Sequence, residues 1–277
     1  MHDGVPRSYH IHVPSGYDEA APVPLVLALH GGRGTGSRLE RLTGLTPIAE
    51  EEGFIVVYPN GINQQWNDGV GLRVSGYPPA TADDTGFLLA LIEALSQEYA
   101  IDPGAVFVTG ASNGGTMAFV LACEAPSVIA GIAPVMTSLA TVLEATCTHG
   151  PPVPLLMIHG TKDSFVPYEG GAVLNRPKLF GEVLGVEATL AIWASRNGCM
   201  GGPTVTPLPG GPDGEDARVF VETFDCADAP MVLYRVEGGG HTWPGGSRFQ
   251  LPWLLGPVNR DFDASRVIWE FFEANRR

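Results

Sequence analysis

A short turn near the middle of the chain limits the possible folds more than any other feature. Residues 105–109 form an apolar, β-branched run, and Gly110-Ala111-Ser112-Asn113-Gly114 joins this run to an apolar stretch of helical character. A Gly-x-Ser-x-Gly turn between a strand and a helix holds its serine in a strained backbone conformation above a parallel sheet. The pattern predicts that Ser112 is a nucleophile; the simpler alternative is that it only caps the helix.

The rest of the chain alternates between short strands and longer helices, which is typical of a parallel sheet with crossover helices. We predict strands over residues 8–13, 25–30, 54–58, 105–109, 129–135, 154–159 and 231–236, and helices over residues 38–51, 82–99, 112–124, 178–196 and 263–274. With the serine turn, this order predicts the α/β class and the α/β-hydrolase fold. We expect a mostly parallel central sheet, helices on both faces and no separate lid domain.

The length and the spacing of these elements predict one domain. A chain of 277 residues fits a single α/β domain, here residues 1–277, built around one core. Residues 60–79, which include Trp66, and residues 201–226 have the composition of loops. Because binding residues are concentrated on loops, we expect these two segments to face a substrate.

The charge of the chain excludes some partners. The formal net charge is −14, and Lys162 and Lys178 are the two lysines. Such a surface repels polyphosphate backbones, so nucleic acid is not expected as a partner and a neutral small molecule suits the chain better. No stretch of eighteen apolar residues occurs, so no membrane span is expected. The first residues lack the pattern of a signal peptide, so for an exported protein we expect the leader to be absent from this sequence.

The four cysteines have a spacing that favours disulfides over a metal site. None of them forms a CxxC pair, so no metal is expected. Cys199 and Cys226 bracket a Gly/Pro-rich excursion over residues 199–226, which a disulfide would restrain, and Cys123 with Cys147 is the second expected pair. The alternative is four free buried thiols, as in a reducing compartment.

A glycine-rich segment after the strand at residues 25–30 is a candidate oxyanion loop. In this fold the oxyanion is bound by the N–H after the nucleophile and by one N–H from an earlier strand-to-helix loop. We therefore nominate the N–H groups of Asn113 and Gly32, with Arg33 as the alternative to Gly32. A dinucleotide-binding loop is a weaker interpretation, because Ser37 stands where its third glycine should be.

The serine needs a base and an acid, and the order of the chain selects one of each. His241 lies in a glycine-rich stretch after the last predicted strand, where this fold places its base. His30 and His159 end buried strands, so we expect structural roles for them. The order Ser, acid, His then requires a carboxylate before His241, and Asp163 follows the strand at residues 154–159. A turn-capping aspartate is the alternative for Asp163.

Several other side chains are candidates for contact with a substrate. Trp66 and Trp243 could line a cleft that accepts aromatic groups, or they could be ordinary packing, and Arg33 is a further candidate contact. Asp83 and Asp84 precede a predicted helix and are expected to cap it. The chemistry of a serine nucleophile requires no cofactor.

The segments around these residues together resemble one known family, the secreted polyhydroxybutyrate depolymerases and feruloyl esterases. The resemblance lies in Leu29-His30-Gly31-Gly32, Tyr58-Pro59-Asn60-Gly61, Asp83-Asp84, Gly110-Ala111-Ser112-Asn113-Gly114-Gly115, His159-Gly160-Thr161 with Asp163 and Val166-Pro167-Tyr168, and Gly239-Gly240-His241-Thr242-Trp243-Pro244-Gly245. It spans nearly the whole chain in the right order, and its most specific parts are the segment at His241 and the Cys199–Cys226 pair.

The resemblance implies a serine carboxylic ester hydrolase that forms an acyl-enzyme through Ser112, Asp163 and His241. It implies feruloyl or other aromatic esters, or short hydroxyalkanoate esters, as substrates, either small or polymeric. Acetyl xylan esterase or another short-chain carboxylesterase is the alternative, and an inactive hydrolase fold that only binds ligands is a further one. Disulfides and an extracellular location are expected. No appended polymer-binding domain is visible, which argues against crystalline polyester.

Overall fold

The computed structural model describes residues 1–70, 81–175, 181–209, 219–247, 250 and 252–277. The strands are β1 (Tyr9–His12), β2 (Val23–Leu29), β3 (Ile55–Pro59), β4 (Ile101–Ala111), β5 (Gly131–Val135), β6 (Leu155–Gly160), β7 (Gly171–Ala172), β8 (Glu182–Val183), β9 (Thr204–Pro207), β10 (Val219–Phe224) and β11 (Met231–Val236). The α-helices are α1 (Gly36–Thr43), α2 (Leu45–Glu52), α3 (Asp84–Glu98), α4 (Asn113–Glu124), α5 (Glu144–Thr148), α6 (Val186–Arg196), α7 (Pro252–Leu255) and α8 (Ala264–Glu273).

One large sheet organises the described residues. Its strand order is β1-β3-β2-β4-β5-β6-β11-β10-β9. The six central strands run parallel to one another, in the order β3, β2, β4, β5, β6 and β11. At one edge β1 is antiparallel to β3, and at the other edge β10 is antiparallel to β11 and β9 is antiparallel to β10. The mostly parallel sheet confirms the predicted α/β-hydrolase fold. Within the described ranges, none of the helices has the length and apolarity needed to cross a bilayer.

Both faces of the sheet are covered by helices, and β2 shows how the sequence achieves this. Leu25, Leu27 and Leu29 belong to the apolar cluster that also contains residues of α3, α4 and α6. Val26 and Ala28 belong to the cluster on the other face, with residues of α1, α2 and α8. Because successive side chains of a strand point to opposite faces, a strand buried on both sides must be apolar at every position.

Two helix predictions need correction. The helix predicted over residues 38–51 is two helices, α1 and α2, because Gly44 between them takes a left-handed conformation with φ 67°. The helix predicted over residues 178–196 begins only at Val186. Residues 178–180 lie outside the described residues, and the segment after them contains β8.

The excursion over residues 201–226 was expected to be a loop, and this expectation is wrong for its described parts. Strands β9 and β10 pair with each other, and β10 pairs with β11, so the excursion extends the sheet. The buried residues of β10, Val219 and Glu222, are three positions apart, so the strand lacks the two-residue alternation that would have predicted it. Residues 210–218 of the excursion, like residues 71–79 of the other predicted loop, lie outside the described residues.

The cysteine pairing is the expected one. Cys123 is bonded to Cys147 and Cys199 to Cys226. The first disulfide joins α4 to α5, and the second joins the chain just after α6 to the end of β10, where the sheet extension closes.

Candidate active site

Ser112 lies at a sharp turn between β4 and α4. Its backbone has φ 53° and ψ −121°, a conformation that is strained for any residue except glycine. The Ser112 N–H donates to the carbonyl oxygen of Val135 at 2.8 Å, which ties the turn to β5. A Cβ atom at Gly114 would overlap the carbonyl oxygen of Leu29, and one at Gly110 would overlap that of Gly114. The glycines of the motif are therefore required by close approach, and they hold a half-buried serine at the edge of the sheet.

The sheet register places three candidate residues at one edge. Ala111 pairs with Val135, Val135 with Ile158, and Gly160 with Val236, so the carboxyl ends of β4, β5, β6 and β11 are level. Ser112 follows β4, Asp163 follows β6 and His241 follows β11. In open α/β sheets, ligands bind at the carboxyl ends of the strands. The three side chains therefore arise at the edge where chemistry is expected.

Asp163 and His241 are in direct contact. The Nδ1 atom of His241 lies 2.7 Å from Oδ2 of Asp163. The other carboxylate oxygen accepts the N–H groups of Phe165 and Val166, at 2.8 and 2.9 Å. Asp163 thus caps a turn with one oxygen and binds the imidazole with the other, so both interpretations of this residue describe part of its role. The bond fixes the Nδ1–H tautomer and leaves Nε2 of His241 free to accept a proton.

The surroundings of Asp163 keep it ionised. Its side chain has no exposed surface. Burial alone would raise the pKa of this carboxyl, but His241 and His159 outweigh burial and hold the pKa below its usual value. Nε2 of His159 lies 3.6 Å from Oδ2 of Asp163 and contacts the carbonyl oxygen of Val166 at 3.0 Å. His159 is buried in this supporting position, as expected for a structural histidine.

His241 is held by its own backbone and by a ring that the sequence did not reveal. The His241 N–H donates to the carbonyl oxygen of Leu255 in α7 at 2.6 Å, and the Gly240 N–H donates to that of Pro257 at 3.2 Å. The ring of Phe165 stacks on the imidazole, with centroids 5.0 Å apart and planes at 14°. The imidazole is therefore restrained on one face, while its side chain keeps 11% of its surface exposed.

The candidate oxyanion loop lies against the nucleophile. Its hydrogen bonds show which of the two candidate N–H groups, that of Gly32 or that of Arg33, is available to an oxyanion. A Cβ atom at Gly31 would lie 3.5 Å from Cβ of Ser112. The Arg33 N–H donates to the carbonyl oxygen of Gln64 at 2.9 Å, so it is already used inside the protein. This excludes Arg33 as the alternative donor and leaves the N–H of Gly32, next to the turn, as the candidate. The Arg33 side chain is exposed.

His30 supports this loop and is not a base. Its Nδ1 lies 2.8 Å from the carbonyl oxygen of Gly31, and its Nε2 accepts the N–H of Gly61 at 3.0 Å. Burial lowers the pKa of His30 to about 4, so the ring is neutral, with the proton on Nδ1. Because the Gly31 carbonyl and the Gly32 N–H belong to one planar peptide, anchoring the carbonyl also orients the N–H.

Trp66 and Trp243 do not have the surface expected of substrate contacts. Trp66 is 1% exposed and donates its indole N–H to the carbonyl oxygen of His30 at 2.8 Å. Trp243 is fully buried and donates to the hydroxyl of Ser265 at 3.0 Å. Neither indole can contact a substrate in this structure, which corrects the expectation that they line a cleft. Both are ordinary packing with a satisfied N–H.

Trp253 is an aromatic side chain near the site that sequence reasoning missed. It lies on α7, the helix whose Leu255 carbonyl accepts the His241 N–H, and 81% of its surface is exposed. Exposed tryptophans are uncommon, so this one is a candidate for contact with a ligand. The signal was available in the sequence as a tryptophan a few residues after the His241 segment.

The two aspartates before α3 have different roles. Asp83 accepts the Gly86 N–H at 2.8 Å and caps the helix, as expected. Asp84 does not act as a cap: its buried carboxylate pairs with Arg7 and accepts the Asn67 N–H at 2.7 Å. Asp83 also belongs, with His2 and Asp3, to the one group of possible metal ligands found among the described residues. Within that group Nε2 of His2 lies 3.0 Å from a carboxylate oxygen of Asp83 and 3.8 Å from one of Asp3.

The strained serine, the Asp163–His241 pair and the glycine loop define a serine hydrolase of the α/β-hydrolase fold. A family model described as esterase PHB depolymerase matches residues 7–147, and the chain belongs to this family of esterases. It is therefore a serine esterase, as the motifs implied, and its partner in the reaction is an ester.

Similar proteins agree with this assignment. The chain is 29% identical over 278 residues to the putative esterase NocK of Nocardia uniformis, covering 97% of this chain and 79% of that protein. It is 29% identical over 265 residues to feruloyl esterase B of Piromyces equi, covering 89% of this chain and 46% of that protein. The acetyl xylan esterase of Aspergillus awamori has the same fold, with a TM-score of 0.56 and 18% identity, covering 84% of this chain and 88% of that one.

Proposed function

We propose that this esterase hydrolyses feruloyl and related aromatic esters through an acyl-enzyme on Ser112. The observation that carries the proposal is the bond between Asp163 and His241, which leaves Nε2 of His241 free at the same sheet edge as the strained serine. This is the arrangement that converts a serine hydroxyl into a nucleophile.

In the first half of the reaction, Nε2 of His241 takes the proton of Ser112, and Oγ attacks the ester carbonyl. The negative oxygen that forms accepts the N–H groups of Gly32 and Asn113. Because Asn113 is the first residue of α4, its N–H also lies at the positive end of a helix. His241 then gives its proton to the departing alcohol. Asp163 stabilises the imidazolium and is not itself protonated.

In the second half, water attacks the acyl-enzyme, His241 takes one proton from it, and the acid leaves as Ser112 recovers its hydrogen. Apart from the attacking water, the residues of the chain supply every group that these steps use.

Two observations support an aromatic acyl group. Several relatives that match most of the chain are named feruloyl esterases. Trp253 is exposed on α7, the helix whose Leu255 carbonyl oxygen accepts the His241 N–H. Its indole can stack there on an aromatic ring or a sugar. The net charge of −14 favours a neutral ester over an anionic one, and the exposed Arg33 beside the glycine loop offers a hydrogen-bond donor.

Short hydroxyalkanoate esters are the second candidate, because the family model that matches the chain is that of PHB depolymerase esterases. Acetyl xylan and other short-chain esters are a third. We also propose that the protein works outside the cytosol, since two disulfides are typical of oxidising compartments.

A hydrolysis panel tests the substrate. It consists of methyl ferulate, acetylated xylan, hydroxybutyrate oligomers and nitrophenyl esters of graded chain length. We expect methyl ferulate to be cleaved with a kcat/KM at least as high as that of any other unactivated ester in the panel. Cleavage of nitrophenyl butyrate without cleavage of methyl ferulate would contradict the aromatic preference. A folded protein that cleaves none of the esters would contradict the proposed activity itself.

A further inference from the structure

A buried carboxylate lies next to the nucleophile turn and has no part in the triad. Asp68 is 1% exposed and lies on the loop between β3 and α3. One of its oxygens accepts the side-chain NH₂ of Asn113 at 2.6 Å, and the other accepts the Val70 N–H at 3.0 Å. Among the described residues, no basic side chain lies within ion-pair distance of Asp68. Arg7 pairs with Asp84.

The amide of Asn113 has all of its hydrogen-bonding groups satisfied by this loop. Its Oδ1 accepts the Trp66 N–H at 2.8 Å, and its Nδ2 donates to the Trp66 carbonyl oxygen at 3.1 Å as well as to Asp68. A flipped amide would set Oδ1 against two acceptors, the Asp68 carboxylate and the Trp66 carbonyl. Asp68 therefore selects one orientation of the Asn113 side chain.

Asn113 is the residue whose backbone N–H serves the oxyanion in the proposed mechanism, and it directly follows the strained Ser112. Strained backbone persists only where the surrounding contacts hold it. On the amino side, the Ser112 N–H is tied to Val135. On the carboxyl side, the Thr116 N–H donates to the Ser112 carbonyl oxygen at 2.9 Å, and the Asn113 side chain adds a second tie, anchored by Trp66 and Asp68.

We propose that Asp68 is a positioning residue for the oxyanion site: through the Asn113 amide it locks the nucleophile turn to the loop after β3 and keeps the Asn113 N–H aimed at the reacting oxygen. The proposal rests on the proposed function of Ser112. Asp68 touches neither substrate nor nucleophile, and it acts only through Asn113.

The electrostatics agree with a role other than stability. Burial raises the pKa of Asp68 to about 7, against the opposing hydrogen bonds from Asn113 and Val70, and the nearby Asp84 adds to the rise. A carboxyl that is hard to ionise is costly to bury, but its two oxygens accept from two separate donors, Asn113 and Val70, whereas an amide would offer a single acceptor oxygen. Such a group is typical of functional sites.

The test measures kcat and KM of Asp68→Asn, Asn113→Ala and the double variant. Asp68→Asn should lower kcat about tenfold with little change in KM, because an oxyanion contact strengthens in the transition state and removal of a whole donor costs roughly 100-fold or more. Asn113→Ala keeps the backbone N–H but lacks the link, so it should lose a similar factor. The double variant should be no worse than Asn113→Ala alone.

A second readout reports on the oxyanion site without turnover. The affinity for phenylboronic acid, whose tetrahedral serine adduct places an oxygen at the same donors, should fall by the same factor as kcat. Glu222→Gln is the matched control, since Glu222 is a buried carboxylate paired with Arg235 and lies on β10, which three strands separate from β4 and the nucleophile turn. It should lower the melting temperature and leave kcat and boronate affinity unchanged.

Three results would overturn the proposal: an unchanged kcat in folded Asp68→Asn, an unchanged kcat in folded Asn113→Ala, or losses that multiply in the double variant. Asn113→Ala decides the matter if Asp68→Asn fails to fold. An inactive wild-type protein would instead refute the proposed function, which keeps the two failures distinct.

Discussion

The two sides of the active site are held by different means. On the nucleophile side, Ser112 and Asn113 are tied to β5 and to the loop after β3 by hydrogen bonds in the protein interior. On the base side, His241 is held by one carboxylate, one stacked ring and the backbone of α7, which carries the exposed Trp253. The buried side is set once the protein folds, whereas the base side is open to ligands. We infer that steps common to all esters depend on the first side and that substrate preference depends on the second.

The largest effect should come from the base itself. His241→Ala should lower kcat by about 10⁴-fold or more, because the serine loses its proton acceptor, and it should also lower the melting temperature, because the buried Asp163 carboxylate loses its partner. The matched control is His149→Ala, an exposed histidine on another part of the surface. Esterase kinetics with nitrophenyl butyrate measure both. Comparable losses in the two variants would contradict the assignment of the base.

Removing each disulfide in turn shows how strongly the stability of each side of the active site affects activity. They close loops of similar length, with separations of 24 and 27 residues, so the chain-entropy model gives each roughly 3–4 kcal/mol. Replacing either pair by serine should lower the melting temperature by roughly 5–10 °C. Loss of Cys123–Cys147, which ties the nucleophile helix α4 to α5, should also reduce kcat at temperatures near melting, whereas loss of Cys199–Cys226 should not. Calorimetry and kinetics over a temperature series give the comparison.

The two buried carboxylates should respond to pH in opposite directions. The pKa of Asp163 is lowered on folding, so its ionisation stabilises the protein above about pH 4 and this contribution is lost as the pH falls further. The pKa of Asp68 is raised to about 7, so its stabilising effect is complete below about pH 4 and is lost as the pH rises from 4 to 7.

Melting temperatures of the wild type, Asp163→Asn and Asp68→Asn over this pH range test the difference. The advantage of the wild type over Asp68→Asn should shrink between pH 4 and 7, and its advantage over Asp163→Asn should shrink below pH 4. Parallel curves for the two variants would show that the two carboxylates do not differ in this way.

The smallest effect is expected at the rim of the base side. Trp253→Ala should raise the KM for methyl ferulate by roughly 3- to 10-fold through loss of an aromatic contact, with little change for nitrophenyl acetate. Met200→Ala removes another exposed apolar side chain and serves as the control. Equal kinetics of Trp253→Ala and the wild type on every ester would remove Trp253 from the binding surface.

The same comparison explains what the sequence could predict. The parallel strands were predictable because each contains a run of apolar residues, and the Asp163–His241 pair was predictable because chain order and strand ends fix its place. The contacts that hold these residues in place were not predictable. The burial of Trp66 depends on His30, 36 residues away in the chain, and the role of Asp68 depends on Asn113, 45 residues away. Contacts of this range leave no local pattern.

Strands β9 and β10 were missed for a related reason. The buried residues of β10, Val219 and Glu222, lie three positions apart rather than two, and the strand is short and belongs to a segment whose glycines and prolines indicate a loop. The pairing with β11 determines the structure there, so tertiary contact overrides local composition.

Active-site labelling tests the central claim most directly. A fluorophosphonate probe reacts with a serine only when that serine is activated by a base and its oxyanion is stabilised, so it reports on both sides of the site at once. We predict that the folded protein takes up one label, that peptide mapping places it on Ser112, and that Ser112→Ala takes up none. Absence of labelling on the folded protein, or a label on any other residue, would contradict the account.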